Sequence, residues 1–183
     1  PSFIYSLFWG KTQIRWTANV YAQPNPGPCG CGVVFQIGSD TSERSQYVGI
    51  GTNLMAELKA LQMALESILT LPEMSFDLIV LFSDCQVAIK LICGDMTPRG
   101  LFALVSECRS LLHTLSRHTA VSLQWIRGHS GIQGNEKADR LAKDAIRNTS
   151  HPLSAPLPGQ EPIPLSVAKS LCHTEKLISG KTG

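Results

Sequence analysis

Trp125-Ile-Arg-Gly-His-Ser-Gly-Ile-Gln-Gly-Asn-Glu-Lys-Ala-Asp-Arg-Leu-Ala142 is the stretch that decides how the chain is read. It reads as a strand end, a loop carrying His129, and a helix carrying Asp139. Gly128, Gly131 and Gly134 let the loop backbone take tight or left-handed conformations. Ala138, Leu141, Ala142, Ala145 and Ile146 then recur on one helical face. Asn135 is placed to cap this helix, and Glu136 lies in the first turn, where a negative charge suits the dipole. Asp139 sits at the border of the apolar stripe, where solubility alone gives no reason for an acid.

Upstream, Thr119–Ile126 alternates as a strand does, and Pro98–Arg117 carries the leucine spacing of a helix. Leu78-Ile-Val-Leu-Phe82 is a continuous apolar run, as expected of a strand buried on both faces. It stops at Ser83-Asp84. An acid at the carboxyl end of a central strand lies where α/β sheets bind ligands. Asp84 would also serve as the cap of the next helix, Gln86–Ile92, and both roles can hold at once.

Residues 53–70 form a helix whose Leu54, Leu58, Leu61, Leu65 and Ile68 make one core-facing stripe. Glu57 shares that stripe. A buried carboxylate needs a proton, a cation or a metal; the competing reading has Glu57 reach solvent at the helix end. Before this helix, residues 13–22, 31–37 and 45–50 read as strands. Turns at Pro24–Pro28 and Gly38–Asp40 separate them, so the three form an antiparallel meander. The order predicts an α/β domain with a five-stranded mixed sheet flanked by helices.

The chain has 183 residues, enough for one domain and a tail. Apolar residues are 43%, which excludes a wholly disordered chain. A formal charge of +2 permits a nucleic-acid partner without arguing for one. The six cysteines make no zinc pattern, so reduced thiols in an intracellular protein are expected. Phe3–Trp9 is too short to span a membrane. The first residue is proline, as in a segment of a longer polypeptide or a processed product. Residues 1–12 are read as a lead-in and 13–149 as the domain. In residues 150–183 a linker with Pro152, Pro156, Pro158, Pro162 and Pro164 precedes a short helix at Val167–Ile178.

Glu57, Asp84 and Asp139 stand out as three acids on separate elements. Carboxylates that converge from separate elements make an oxygen-rich site suited to Mg²⁺ or Mn²⁺. Four motifs, in this order, resemble those of a type 1 ribonuclease H domain: Asn25-Pro-Gly-Pro28, Thr52-Asn-Leu-Met-Ala-Glu57, Phe82-Ser-Asp84-Cys-Gln86, and the Trp125–Ala142 stretch. The last is the most specific. The resemblance runs from about Gln13 to Arg147. It is closest in flavour to domains inside non-LTR retrotransposon polyproteins, where a similar Pro-rich tail follows.

The resemblance implies cleavage of the RNA strand of an RNA–DNA hybrid by a centre of two Mg²⁺ or Mn²⁺ ions. Glu57, Asp84 and Asp139 match the second to fourth acidic ligands. His129 matches the loop histidine that assists proton transfer or product release. Asn25, Thr52, Asn53, Gln86 and Asn135 match positions near the hybrid; for the first four a turn or cap role competes with substrate contact. Lys90, Arg99, Arg109 and Arg127 are the cations available to phosphates. The implied partners are the hybrid and the rest of a reverse-transcriptase polyprotein, with no membrane, and the domain is expected to be monomeric.

One departure matters. The family's first strand ends in Asp-Gly-Ser, and here that position is Asn19-Val20-Tyr21, with no acid anywhere before Asp40. Asparagine offers one neutral carbonyl oxygen in place of two anionic ones. The degenerate ligand at Asn19 leads to three expectations: impaired cleavage with nucleic-acid binding retained, weak activity favouring Mn²⁺, or a domain that only packs against a partner.

Overall fold

The computed structural model describes residues 13–22, 25–71 and 76–149. The lead-in, the Pro-rich linker and the expected C-terminal helix lie outside the described residues. Nine elements follow in order: β1 (Gln13–Ala22), β2 (Gly27–Ile37), β3 (Asp40–Gly51), α1 (Asn53–Leu69), β4 (Leu78–Ser83), α2 (Gln86–Cys93), α3 (Phe102–Ser116), β5 (Ala120–Trp125) and α4 (Gln133–Arg147). The strands form one sheet in the order β3-β2-β1-β4-β5. β2 runs antiparallel to β1 and β3, whereas β4 is parallel to both β1 and β5. The carboxyl ends of β1, β4 and β5 therefore share one edge of the sheet. There Ala18 pairs with Ser83 and Ser83 with Trp125, so Asn19 and Asp84 follow directly on neighbouring strands.

α1 lies in the core along its whole stripe. Leu54, Leu58, Leu61, Leu65 and Ile68 are all fully buried, each worth about 1.5–3 kcal/mol relative to exposure. Thr52 caps the helix, its hydroxyl accepting from the Met55 amide at 3.2 Å. The opposite helix, α4, sits on two glycines of β2. A Cβ at Gly30 would fall 2.1 Å from the Ala142 carbonyl oxygen, and one at Gly32 would fall 2.2 Å from that of Ala138. With Ala138 and Ala142 on the helix side, both fully buried, backbone meets backbone.

Several boundaries differ from the sequence reading. β2 starts at Gly27 and not at 31, and β3 runs from Asp40 to Gly51, beyond 45–50 at both ends. Antiparallel pairing carries the exposed polar segment Asp40–Gln46 into the ladder. The helix expected from Pro98 starts only at Phe102, because Leu101 takes a left-handed φ of 55° and ends any helix upstream. Leu101 serves there as the N-cap residue, its carbonyl accepting from Val105 at 2.9 Å. α4 starts at Gln133, so Asn135 is not its cap; Ile132 holds that position, with no side-chain capping bond. Asp84 does not cap α2 either, since Cys85 is the N-cap and its amide donates to Ser83 Oγ at 3.1 Å. Among the described residues no helix is long and apolar enough to cross a membrane.

Candidate active site

Asp84 is the centre of the candidate site. It leaves the end of β4 just as the β5 chain turns into the His129 loop. Trp125 Nε1 donates to the Asp84 carbonyl at 3.0 Å, and the Ile126 amide to the Ser83 carbonyl at 3.0 Å. Gly128 passes close over the carboxylate: a Cβ there would stand 2.6 Å from Asp84 Oδ2. Gly128 is therefore needed for clearance. Of the three loop glycines only Gly131, at φ 76°, uses the left-handed region, while Gly134 lies inside α4. His129 itself has φ 51° and is exposed, so the loop's turn presents the imidazole to solvent.

α4 brings in the other polar groups. Asn135 is 1% exposed, and its Nδ2 donates to Asp84 Oδ2 at 3.4 Å. Asp139, one turn on, is 8% exposed. Its Oδ2 receives Lys143 Nζ at 2.5 Å, an ion pair between residues four apart on one helix face. Burial pushes the Asp84 carboxyl above its ordinary range. The Asn135 bond, a backbone bond and the His129 charge oppose that rise, and the Asp139 carboxylate adds to it. Asp84 and Asp139 are thus within electrostatic reach of each other.

Glu57 is 7% exposed, which excludes the reading that it reaches solvent at the helix end. It lies in the second turn of α1, and its charge is felt at the Cys31 thiol on β2. Asn19 is placed by its backbone opposite Gly32 of β2. Among the described residues no three His, Cys, Asp or Glu side chains form a group that could hold a metal ion, so what the fold brings together is Asp84, Asp139, Asn135 and His129.

The remaining expected residues lie elsewhere. Asn25 Oδ1 accepts from the Asn53 amide at 3.1 Å, which ties the loop before β2 to the start of α1. Thr52 is buried and spends its hydroxyl on capping. Asn53 and Gln86 are half-buried at the first residues of α1 and α2. Arg109 is not a free surface cation: it donates to the Leu91 carbonyl at 2.9 and 2.7 Å and to that of Met96 at 3.4 Å, binding α3 to the end of α2. Lys90, Arg99 and Arg127 are exposed.

Sequence reasoning missed the clearance role of Gly128, the Asn135–Asp84 bond and the Lys143–Asp139 pair. The last was visible as an i,i+4 spacing. The other two join residues on different elements.

Residues 19–147 match the family model described as RNase H. The chain belongs to the RNase H family. Ribonuclease H is accordingly its enzyme class. The ribonuclease H of Shewanella denitrificans is 30% identical over 130 residues, covering 66% of this chain and 79% of that one. That of Methylorubrum extorquens is 32% identical over 165 residues, covering 85% and 69%. Among solved structures, RNase H1 from the halophilic archaeon Halobacterium salinarum is similar with a TM-score of 0.60 and 26% identity. The match covers 75% of this chain and 99% of that one. LC11-RNase H1, solved in complex with an RNA/DNA hybrid, is similar with a TM-score of 0.59 and 26% identity, covering 73% and 96%. The RNase H-like α/β fold thus has support from both the sheet topology and its structural neighbours.

Proposed function

We propose that this RNase H domain binds RNA–DNA hybrids and cleaves the RNA strand at a divalent-metal centre that lacks one acidic ligand, with turnover severely impaired as a result. One observation carries the reading. Asp84 is a desolvated carboxyl raised further by the Asp139 charge, flanked by Asn135 and by an exposed histidine on a strained loop. Two carboxylates within electrostatic reach of each other at the carboxyl end of parallel strands make a donor set suited to a hard cation. Asp84 and Asp139 would hold it; Glu57 enters the ligand set only through the family resemblance, and Asn19 would contribute only a neutral oxygen. A bound divalent ion supplies polarisation of the phosphoryl oxygen and a lowered pKa for water.

The chain's own groups supply the rest of the proposed chemistry. Asn135 fixes the Asp84 carboxylate through its amide. His129, held in solvent by its left-handed backbone, relays a proton at the leaving oxygen. Asn25, Asn53 and Gln86 offer neutral polar groups to the minor groove, where the 2′-hydroxyl distinguishes RNA from DNA. Lys90, Arg99 and Arg127 are exposed cations that would meet the phosphates. The Lys143–Asp139 pair favours the second reading, a hybrid-binding domain without turnover, since an ammonium already neutralises one of the three acids. The four motifs and the Pro-rich segment support an origin in a retroelement polyprotein, with the domain monomeric beside a reverse transcriptase.

The test is binding and cleavage of a labelled hybrid in Mg²⁺ and in Mn²⁺, with Asp84→Asn as the control. Salt-sensitive binding, with slow cleavage that Asp84→Asn abolishes, is expected. Binding with no cleavage in either ion selects the second reading. No binding at low salt contradicts both.

A further inference from the structure

Trp125 ends β5 with an indole that is 49% exposed. A single exposed apolar side chain is ordinary. This one is distinguished by what holds it. The indole N–H is bonded to the main-chain carbonyl of Asp84, and the β4–β5 register sets Trp125 beside Ser83, the residue before that acid. A tryptophan satisfied at its polar edge has only its ring face left to offer. The ring is therefore a flat, fixed surface at the rim of the candidate site, on a strand with no sheet neighbour beyond it among the described residues.

Rings of this kind bind nucleic acid by stacking on a base, which requires an exposed base face. Within a duplex each base is covered by its neighbours. The face is free only where the duplex ends or a strand continues unpaired. We propose that Trp125 is a stacking platform for an unpaired base flanking the hybrid, so that the domain prefers a hybrid with a single-stranded extension over a blunt one. The inference rests on the hybrid-binding reading above and deepens it by naming the form of the substrate.

The experiment compares the full chain and its Trp125→Ala and Trp125→Phe variants in EDTA. The probes are a blunt hybrid and the same hybrid with a single-stranded extension of several nucleotides. Affinity is read by anisotropy and tryptophan emission by titration; Trp9 and Trp16 are the only other tryptophans, so the difference between wild type and Trp125→Phe isolates Trp125. The wild type is expected to bind the extended hybrid about tenfold more tightly, with quenched emission. Trp125→Ala loses that preference and binds the two hybrids with equal affinity. Trp125→Phe keeps most of the preference and loses the quench.

A wild type that binds both hybrids equally, or a Trp125→Ala variant that retains the preference, overturns the platform and leaves the hybrid reading intact. A wild type that binds neither probe overturns the hybrid reading and the platform with it. If Trp125→Ala does not fold, the quench decides: an unchanged emission difference between wild type and Trp125→Phe on adding extended hybrid overturns the proposal.

Discussion

Replacing Gly32 by alanine should be among the most damaging single-methyl additions in this domain. Its Cβ would lie 2.2 Å from the Ala138 carbonyl oxygen, 2.8 Å from Leu141 Cβ and 2.9 Å from the Ala142 amide nitrogen. Two of these atoms are helix backbone, so no side-chain rotation relieves the overlap. A carbon and a carbonyl oxygen need about 1 Å more, and α4 must rise from β2 by that amount, opening the contact at Ala138 and Ala142. Overpacking costs about 1–3 kcal/mol when side chains can adjust, and here the cost should reach about 3 kcal/mol. With an unfolding entropy of about 2.1 cal/mol/K per residue over roughly 130 residues, that lowers the melting midpoint by about 11 °C. Gly51→Ala is the internal control. Its Cβ would meet Met55 Cε at 2.4 Å and Sδ at 2.5 Å, the mobile end of a flexible side chain. That change should cost about 1 kcal/mol or less. Urea and thermal unfolding of the two variants measure both. A Gly32→Ala midpoint within about 2 °C of wild type, or no lower than that of Gly51→Ala, would refute the close seating of α4.

Gly128→Ala should act locally. The new methyl displaces the Asp84 carboxylate, at a cost of about 1 kcal/mol in stability, and any cleavage should fall by about ten- to a hundredfold; calorimetry with a cleavage assay separates the two effects. Cys29, Cys31 and Cys108 have thiols pushed up to about 12, chiefly by burial, and should resist a thiol reagent at pH 8 until the chain is unfolded. Because their folded pKa values lie above the unfolded ones, the stability they contribute is complete below pH 9.0 and is lost as pH rises toward about 12; urea midpoints across that range should fall. A midpoint flat from pH 9 to pH 11 would contradict that burial.

Local signals carried much of the fold. The α1 stripe was legible because each of its leucines repeats at helical spacing and all go to one core. β4 was legible because a strand covered on both faces has no polar alternation to confuse it. The extent of β2 and β3 was not legible: Asp40–Gln46 is polar and exposed, and only pairing with β2 makes it a strand. Gly30 and Gly32 look like weak points in a strand, yet they seat a helix more than a hundred residues later. Asn135 has the residue type and position of a cap, and its tertiary bond to Asp84 overrides that local preference. Arg109 reads as surface charge, because nothing in sequence tells that the carbonyls of Leu91 and Met96 lie within its reach. At the candidate site, Glu57, Asp84 and Asp139 could be picked out as oddly placed charges, whereas only the family resemblance marked Asn19. The close contacts that set Asp84 against Gly128 and Asn135 join separate elements and leave no periodic trace.

The proposed impairment turns on Asn19, which stands in β1 where the family resemblance implies an acid. Hybrid cleavage by the wild-type chain should be compared, in Mg²⁺ and in Mn²⁺, with that of an Asn19→Asp, Val20→Gly, Tyr21→Ser variant. Restoring an anionic ligand to the centre is expected to raise the rate by about a hundredfold or more. Equal rates for the two proteins would contradict the claim that this RNase H is limited by the residue at position 19.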